Sequence, residues 1–149
     1  MGGHVDNFFG FVATLSSGLF AGAAVYITFV EHPARMECGT ALAVTEFGPS
    51  YRRAAVMQAP LATMGTLFGI LAAVVGSSAL WLLGGAMLGT VVPLTLIAIF
   101  PTNKRLLDPT LDRTSELARR LLERWGRLHA FRTVLGFASF ALFVALLAS

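Results

Sequence analysis

Four long apolar runs separated by polar stretches set the pattern of this chain. They cover about residues 8–30, 56–75, 80–100 and 128–147. A helix crossing a hydrocarbon core of roughly 30 Å needs about 20 mostly apolar residues, and each run is long enough. The pattern predicts an all-α fold: one integral membrane domain over residues 1–149, built as an antiparallel bundle of four transmembrane helices. Gly48-Pro49 predicts a break before the second span, and Pro101 the end of the third. Gly76, Ser77 and Ser78 leave room only for a tight turn between spans two and three. Pro60 and Pro93 fall inside spans, where a missing backbone donor predicts kinks. Gly18 with Gly22, Gly65 with Gly69 and Gly85 with Gly89 recur at helical spacing. Such small residues let helices approach closely, within one bundle or across a dimer.

The polar stretches carry their own periodicity. Leu111, Leu117, Leu121 and Trp125 recur at helical spacing among arginines, which predicts an amphipathic helix over about 110–127. Asp112 or Thr114 would cap its start. It would lie along the cytoplasmic surface or run straight into span four, with Trp125 at the interface. A second short surface helix is expected over 36–47, ending at Gly48-Pro49.

Composition agrees with the spans. Hydrophobic residues make up 56% and charged residues 13%, against roughly 25% charged in an ordinary soluble domain. All 11 lysines and arginines lie between Arg35 and Arg132. Cationic connections stay cytoplasmic. The connections over about 31–55 and 101–127 are therefore expected in the cytoplasm and both termini outside, with a bacterial inner membrane the expected location. This explains the net charge of +3 without nucleic acid, for which no motif is present. The N-terminal run follows no positive charge and exceeds an ordinary signal-peptide core, so it reads as a span. The lone Cys38 has no disulfide partner and no base beside it.

The polar residues at the cytoplasmic helix ends carry the candidate chemistry. Span one ends with Tyr26 and Glu31-His32-Pro33. Span two begins near Tyr51-Arg52-Arg53 and Gln58. Span three leaves through Asn103, and span four begins with Trp125, His129 and Arg132. Four helix ends on one face bring Glu31, Gln58, Asn103, His129 and Arg132 to one depth. Ionisable groups partly within a membrane are costly unless paired, which makes them functional candidates. The plainer reading is a structural Glu31–Arg132 ion pair tying spans one and four. No spacing calls for a cofactor. A haem or metal held by His32 and His129 is the alternative, though the sequence contains no His-x-x-x-His or Cys-x-x-Cys.

The residues Tyr26…Glu31-His-Pro33-Ala, Tyr51-Arg-Arg-Ala…Gln58-Ala-Pro60-Leu, Pro101-Thr-Asn103 and Trp125-Gly-Arg-Leu-His129-Ala-Phe-Arg132-Thr resemble the anthrone-oxygenase-like family of small four-helix membrane proteins. The resemblance covers nearly the whole chain. It implies a cofactor-independent oxidation of anthrone-like aromatic or quinol substrates by oxygen, with Glu31, Asn103, His129 and Arg132 lining the site. In that chemistry His129 serves as base with Glu31 orienting it. Arg132 and Asn103 stabilise an oxyanion, and Gln58, Tyr26 and Trp125 contact substrate. The alternative is a non-enzymatic accessory subunit or a lipid- or quinone-binding module of a larger membrane complex. A small transporter would need an oligomer. Expected partners are the lipid bilayer, an apolar aromatic or quinone ligand, and a second copy or a larger complex.

Overall fold

The computed structural model describes the backbone of residues 2–76 and 78–148 and the side chains of residues 8–76 and 78–148. Ser77 of the expected turn lies outside them. In order the elements are α1 (Gly2–Tyr26), a π-helical turn (Ile27–Glu31), α2 (His32–Glu37), α3 (Thr40–Val75), α4 (Leu80–Gly89), α5 (Val91–Leu94), a second π-helical turn (Thr95–Ile99), α6 (Phe100–Leu106) and α7 (Glu116–Leu147). They assemble into four apolar rods: Phe8–Glu37, Thr40–Val75, Leu80–Leu106 and Glu116–Leu147. The rod of α1 packs between α3 and α7, and the third rod closes the ring on the other side. The protein is an all-α membrane bundle of four spans, as the apolar runs predict.

The rods are longer than the apolar runs. The 36 residues of α3 extend about 54 Å at 1.5 Å per residue, far more than a hydrocarbon core. Gly48-Pro49 breaks nothing: α3 is continuous past Pro49 and Pro60. Both proline rings are exposed on its outer side, where they displace nothing in the bundle. Pro33 and Pro101 are also helical, each two residues past a π-turn. The amides of His32 and Phe100 reach back five residues, to the carbonyls of Ile27 and Thr95. A proline lacks a donor and presses on the carbonyl four residues earlier. Widening the helix there relieves both problems, and π-turns of this kind recur at functional sites. Span one therefore does not end at a turn after His32, and span three does not stop at Pro101.

The extensions form a packed cap at the basic end. Of the two courses expected for the helix over 110–127, the structure takes the second: α7 starts at Glu116 and runs without a break into span four. Its cap is Ser115, whose hydroxyl accepts from the Ala118 amide at 3.2 Å. Asp112 and Asp108 instead close turns. Each carboxylate accepts the amide and hydroxyl of the threonine two residues on, Thr114 and Thr110. Those bonds hold both carboxyls below their usual range. Ala118, Leu121, Leu122 and Trp125 pack against Val44, Phe47 and Leu106, while Leu117 stays exposed. The stretch 36–47 joins the same cap and leads into α3 across Gly39, whose φ of 89° suits glycine.

At the opposite end the helices close on small residues. A Cβ on Gly69 would lie 3.2 Å from the Gly85 Cα, and one on Gly85 would lie 3.1 Å from the Thr66 carbonyl oxygen. The Ser139 hydroxyl donates to the Gly84 carbonyl at 2.8 Å, tying α7 to α4. Gly22 is the exception among the predicted packing glycines, with open space at its Cβ position. Helix α3 is tightly zipped to α4 here and parts from the third rod toward the basic end.

Candidate functional site

Where α3 and the third rod part, a cavity of about 180 Å³ opens. Both π-turns contribute to its wall, through Ile27 and Glu31 and through Thr95, Leu96 and Ile99. One extra residue in a helical ladder rotates the rest of the helix by about 100°, so the π-turns set which side chains of α2 and α6 face inward. The walls are mostly apolar. The polar groups come from four segments: Glu31, Gln58, Asn103, His129 and Arg132 all line the cavity, as do Trp125 and Tyr51. These five polar side chains line one cavity, although two of the expected partnerships between them are absent.

His129 is buried and is not oriented by Glu31. Its Nδ1 lies 3.1 Å from the Thr28 hydroxyl and 3.5 Å from that of Thr133. The two hydroxyls are 2.8 Å apart. Thr133 also reaches the carbonyls of Ala24 and His129, at 3.2 and 3.1 Å. Each hydroxyl has one proton to give, and the row ends on carbonyls that only accept. Every link carries a proton only if Nδ1–H donates to Thr28, Thr28 to Thr133, and Thr133 to backbone. This direction assigns the lone pair to Nε2, the nitrogen left for a ligand. The imidazole plane is fixed from the side by Trp125, with ring centres 4.8 Å apart and an interplanar angle of 25°.

Glu31 belongs to a different cluster. Its carboxylate accepts from Arg35 and from the Ser50 hydroxyl, so it does not pair with Arg132. Arg35 is buried. Its Nε lies 2.9 Å from Glu46 Oε2, an ion-pair contact too poorly aligned for a hydrogen bond. The guanidinium also lies 5.7 Å from the Trp125 ring and 6.0 Å from that of Phe47. This cluster clamps α2 to α3 and braces the tryptophan. The basic-residue count brought Arg35 forward only as a boundary; its burial follows from packing that no spacing reveals.

Arg132 donates to the Gln58 side-chain carbonyl and lies 5.1 Å from the Phe20 ring. Among the described residues no carboxylate comes within ion-pair distance of it. The side chains lining this cavity include buried polar atoms without a protein partner: Arg132 Nε, Gln58 Nε2, both amide atoms of Asn103, and Trp125 Nε1. Gln58 and Asn103 are each 1% exposed. Buried polar groups are almost always satisfied, so four spare donors and the Asn103 carbonyl oxygen lining one hollow call for a polar partner, chiefly an acceptor. Tyr26 does not line the cavity. It is 56% exposed and borders a second hollow between α1 and α3, with Ala23 and Met57. His32 is also outside the cavity lining and packs on Trp125 with ring centres 5.2 Å apart. Among the described residues no three His, Cys, Asp or Glu side chains gather as a metal set would.

The fold and the cavity together define a four-span membrane bundle with a donor-rich pocket buried at its basic end. The family model described as anthrone oxygenase matches residues 47–142, and the chain belongs to that family. The match takes in Gln58, Asn103, Trp125, His129 and Arg132 and leaves out Tyr26, Glu31 and Arg35. Comparison with curated proteins and with solved structures gave no match.

Proposed function

We propose that the cavity binds an anthrone-like aromatic ketone and that the protein oxidises it with molecular oxygen, without a cofactor. The observation that carries this is the partly buried, carboxylate-free Arg132, whose Nε is buried without a partner, in the wall of a hollow it shares with spare amide donors and His129. Such an array suits an oxygen atom that gains negative charge in an apolar site.

His129 Nε2 takes a proton from the methylene carbon opposite the ketone. The electron pair spreads onto the ketone oxygen, where Arg132 and Asn103 donate to it. Gln58 holds Arg132 in place. The electron-rich ring system passes one electron to oxygen, and the two radicals combine in a new carbon–oxygen bond. The proton returns from His129 to give a hydroperoxide. Loss of the second methylene hydrogen with cleavage of the O–O bond leaves a second carbonyl and releases water. The sum is anthrone plus O₂ to anthraquinone plus H₂O, with the substrate oxidised and oxygen reduced. Thr28 and Thr133 keep Nδ1 protonated, the role first expected of Glu31. By the bias of basic residues the site faces the cytoplasm of a bacterial inner membrane.

The test uses the purified protein in lipid nanodiscs with an anthrone, an oxygen electrode and anthraquinone absorbance. One oxygen consumed per anthrone is expected, at a rate above the uncatalysed one, and His129→Ala lowers that rate at least a hundredfold. Full activity in this variant dismisses the mechanism. A second reading keeps the pocket and drops the chemistry, because the same donors suit a quinone carbonyl in an accessory or binding module. Tight quinone binding without oxygen consumption would favour it.

A further inference from the structure

The cavity has an unusual boundary on its outer side. Toward the lipid it is edged by Ala55 and Ala59 of α3 and by Val92 and Leu96 of the third rod. Val92 is 43% exposed and Leu96 61%. On the third rod, the Thr95 hydroxyl beside them is turned back onto the Val91 carbonyl at 2.7 Å. The four edging side chains are thus apolar and the Thr95 hydroxyl is occupied, whereas Ser50, Tyr51 and the donors of Asn103, Gln58 and Arg132 lie elsewhere in the same cavity. The glycine contacts hold α3 against α4 at the far end, while α3 meets α5 and α6 only sparsely toward the basic end. The gap faces sideways into the bilayer.

Size points the same way. An apolar cavity of about 150 Å³ holds a single benzene ring, and this one measures about 180 Å³. A flat fused-ring ligand whose carbonyl meets the donors has to extend outward through that gap.

We propose that the gap between α3 and the third rod is a lateral portal, through which a flat, uncharged aromatic ligand enters directly from the hydrocarbon phase. This rests on the ligand class proposed for the cavity but not on the oxidation. The alanines keep the portal low, and Leu96 stands on its other side. The hollow between α1 and α3 is the competing route. It adjoins the cavity at Gln58, Glu31 and Ser50, but it is bordered by the charged Glu46 and Arg53, and Gln58 blocks it by its bond to Arg132.

The experiment reads binding rather than turnover. The chain has two tryptophans, so Trp81→Phe leaves Trp125, in the cavity wall, as the only indole. The protein is reconstituted in vesicles, a brominated polycyclic aromatic is added to the lipid phase, and quenching of Trp125 is followed by stopped flow. Ala59→Phe and Leu96→Phe, each in that background, should slow quenching about tenfold or more, while Met57→Phe leaves it unchanged. Slowing by Met57→Phe alone would move the route to the other hollow and overturn the proposal. Equal rates in all three variants would place access at the aqueous end and also overturn it. Ala55→Leu is a milder block that keeps the test decisive if a phenylalanine variant fails to fold. Portal-dependent quenching without any anthrone oxidation would refute the oxygenase and leave the portal standing.

Discussion

Replacing Arg132 by methionine separates catalysis from stability. The variant keeps the length and apolar bulk of the side chain and removes the guanidinium. If Arg132 holds the developing oxyanion, kcat should fall by 10²–10³, about 2.7–4 kcal/mol, as for loss of one preorganised donor. The fold should hardly notice. Gln58 loses its partner and keeps a buried carbonyl, at a cost of about 1–3 kcal/mol. The contact with the Phe20 ring is also lost, about 1 kcal/mol. Against this, a charge without a carboxylate leaves an apolar pocket, a relief of several kcal/mol. These nearly cancel, so thermal unfolding in detergent should shift by only a few degrees. Arg132→Lys restores the charge without the planar fork and should recover part of the rate. Oxygen uptake and melting temperature are measured on the same preparations. A methionine variant that melts normally and turns over within threefold of the parent would refute the oxyanion role.

Two further outcomes test the geometry. Thr28→Val and Thr133→Val each break the relay that holds His129 Nδ1, and should lower kcat about tenfold or more; Glu31→Gln, which touches Arg35 and Ser50 instead, should loosen the cap and leave kcat within threefold. Oxygen uptake and unfolding on the three variants decide this, and the reverse order would restore Glu31 as the orienting group. Gly69→Ala meets both the Phe143 ring, at 2.8 Å, and the Gly85 backbone. It should destabilise by about 1–3 kcal/mol, while Gly22→Ala, facing open space, should be neutral or stabilise by about 1 kcal/mol. Denaturant titration in mixed micelles reads the difference.

Much of the fold is legible along the chain because lipid leaves a helix few alternatives: its backbone must satisfy itself, and its side chains must be apolar for some 20 residues. That fixes four rods, their order and the end that bears the charge. It also brings Gln58, Asn103, His129 and Arg132 to one depth, since depth is counted along the helix. Direction around the helix is not. Whether Glu31 meets Arg132 or Arg35 depends on the π-turn over Ile27–Glu31, which is a response to packing rather than a pattern in the residues. Arg35 looked like a boundary charge until the cap closed over it. Thr28 and Thr133 are ordinary threonines until two helices place their hydroxyls in a row. Pro49 and Pro101 misled for the same reason: a ring exposed on the outer side of a packed rod costs one bond and displaces nothing in the bundle. Apolar length determined what crosses the membrane, and only the packed bundle decided which polar group faces which.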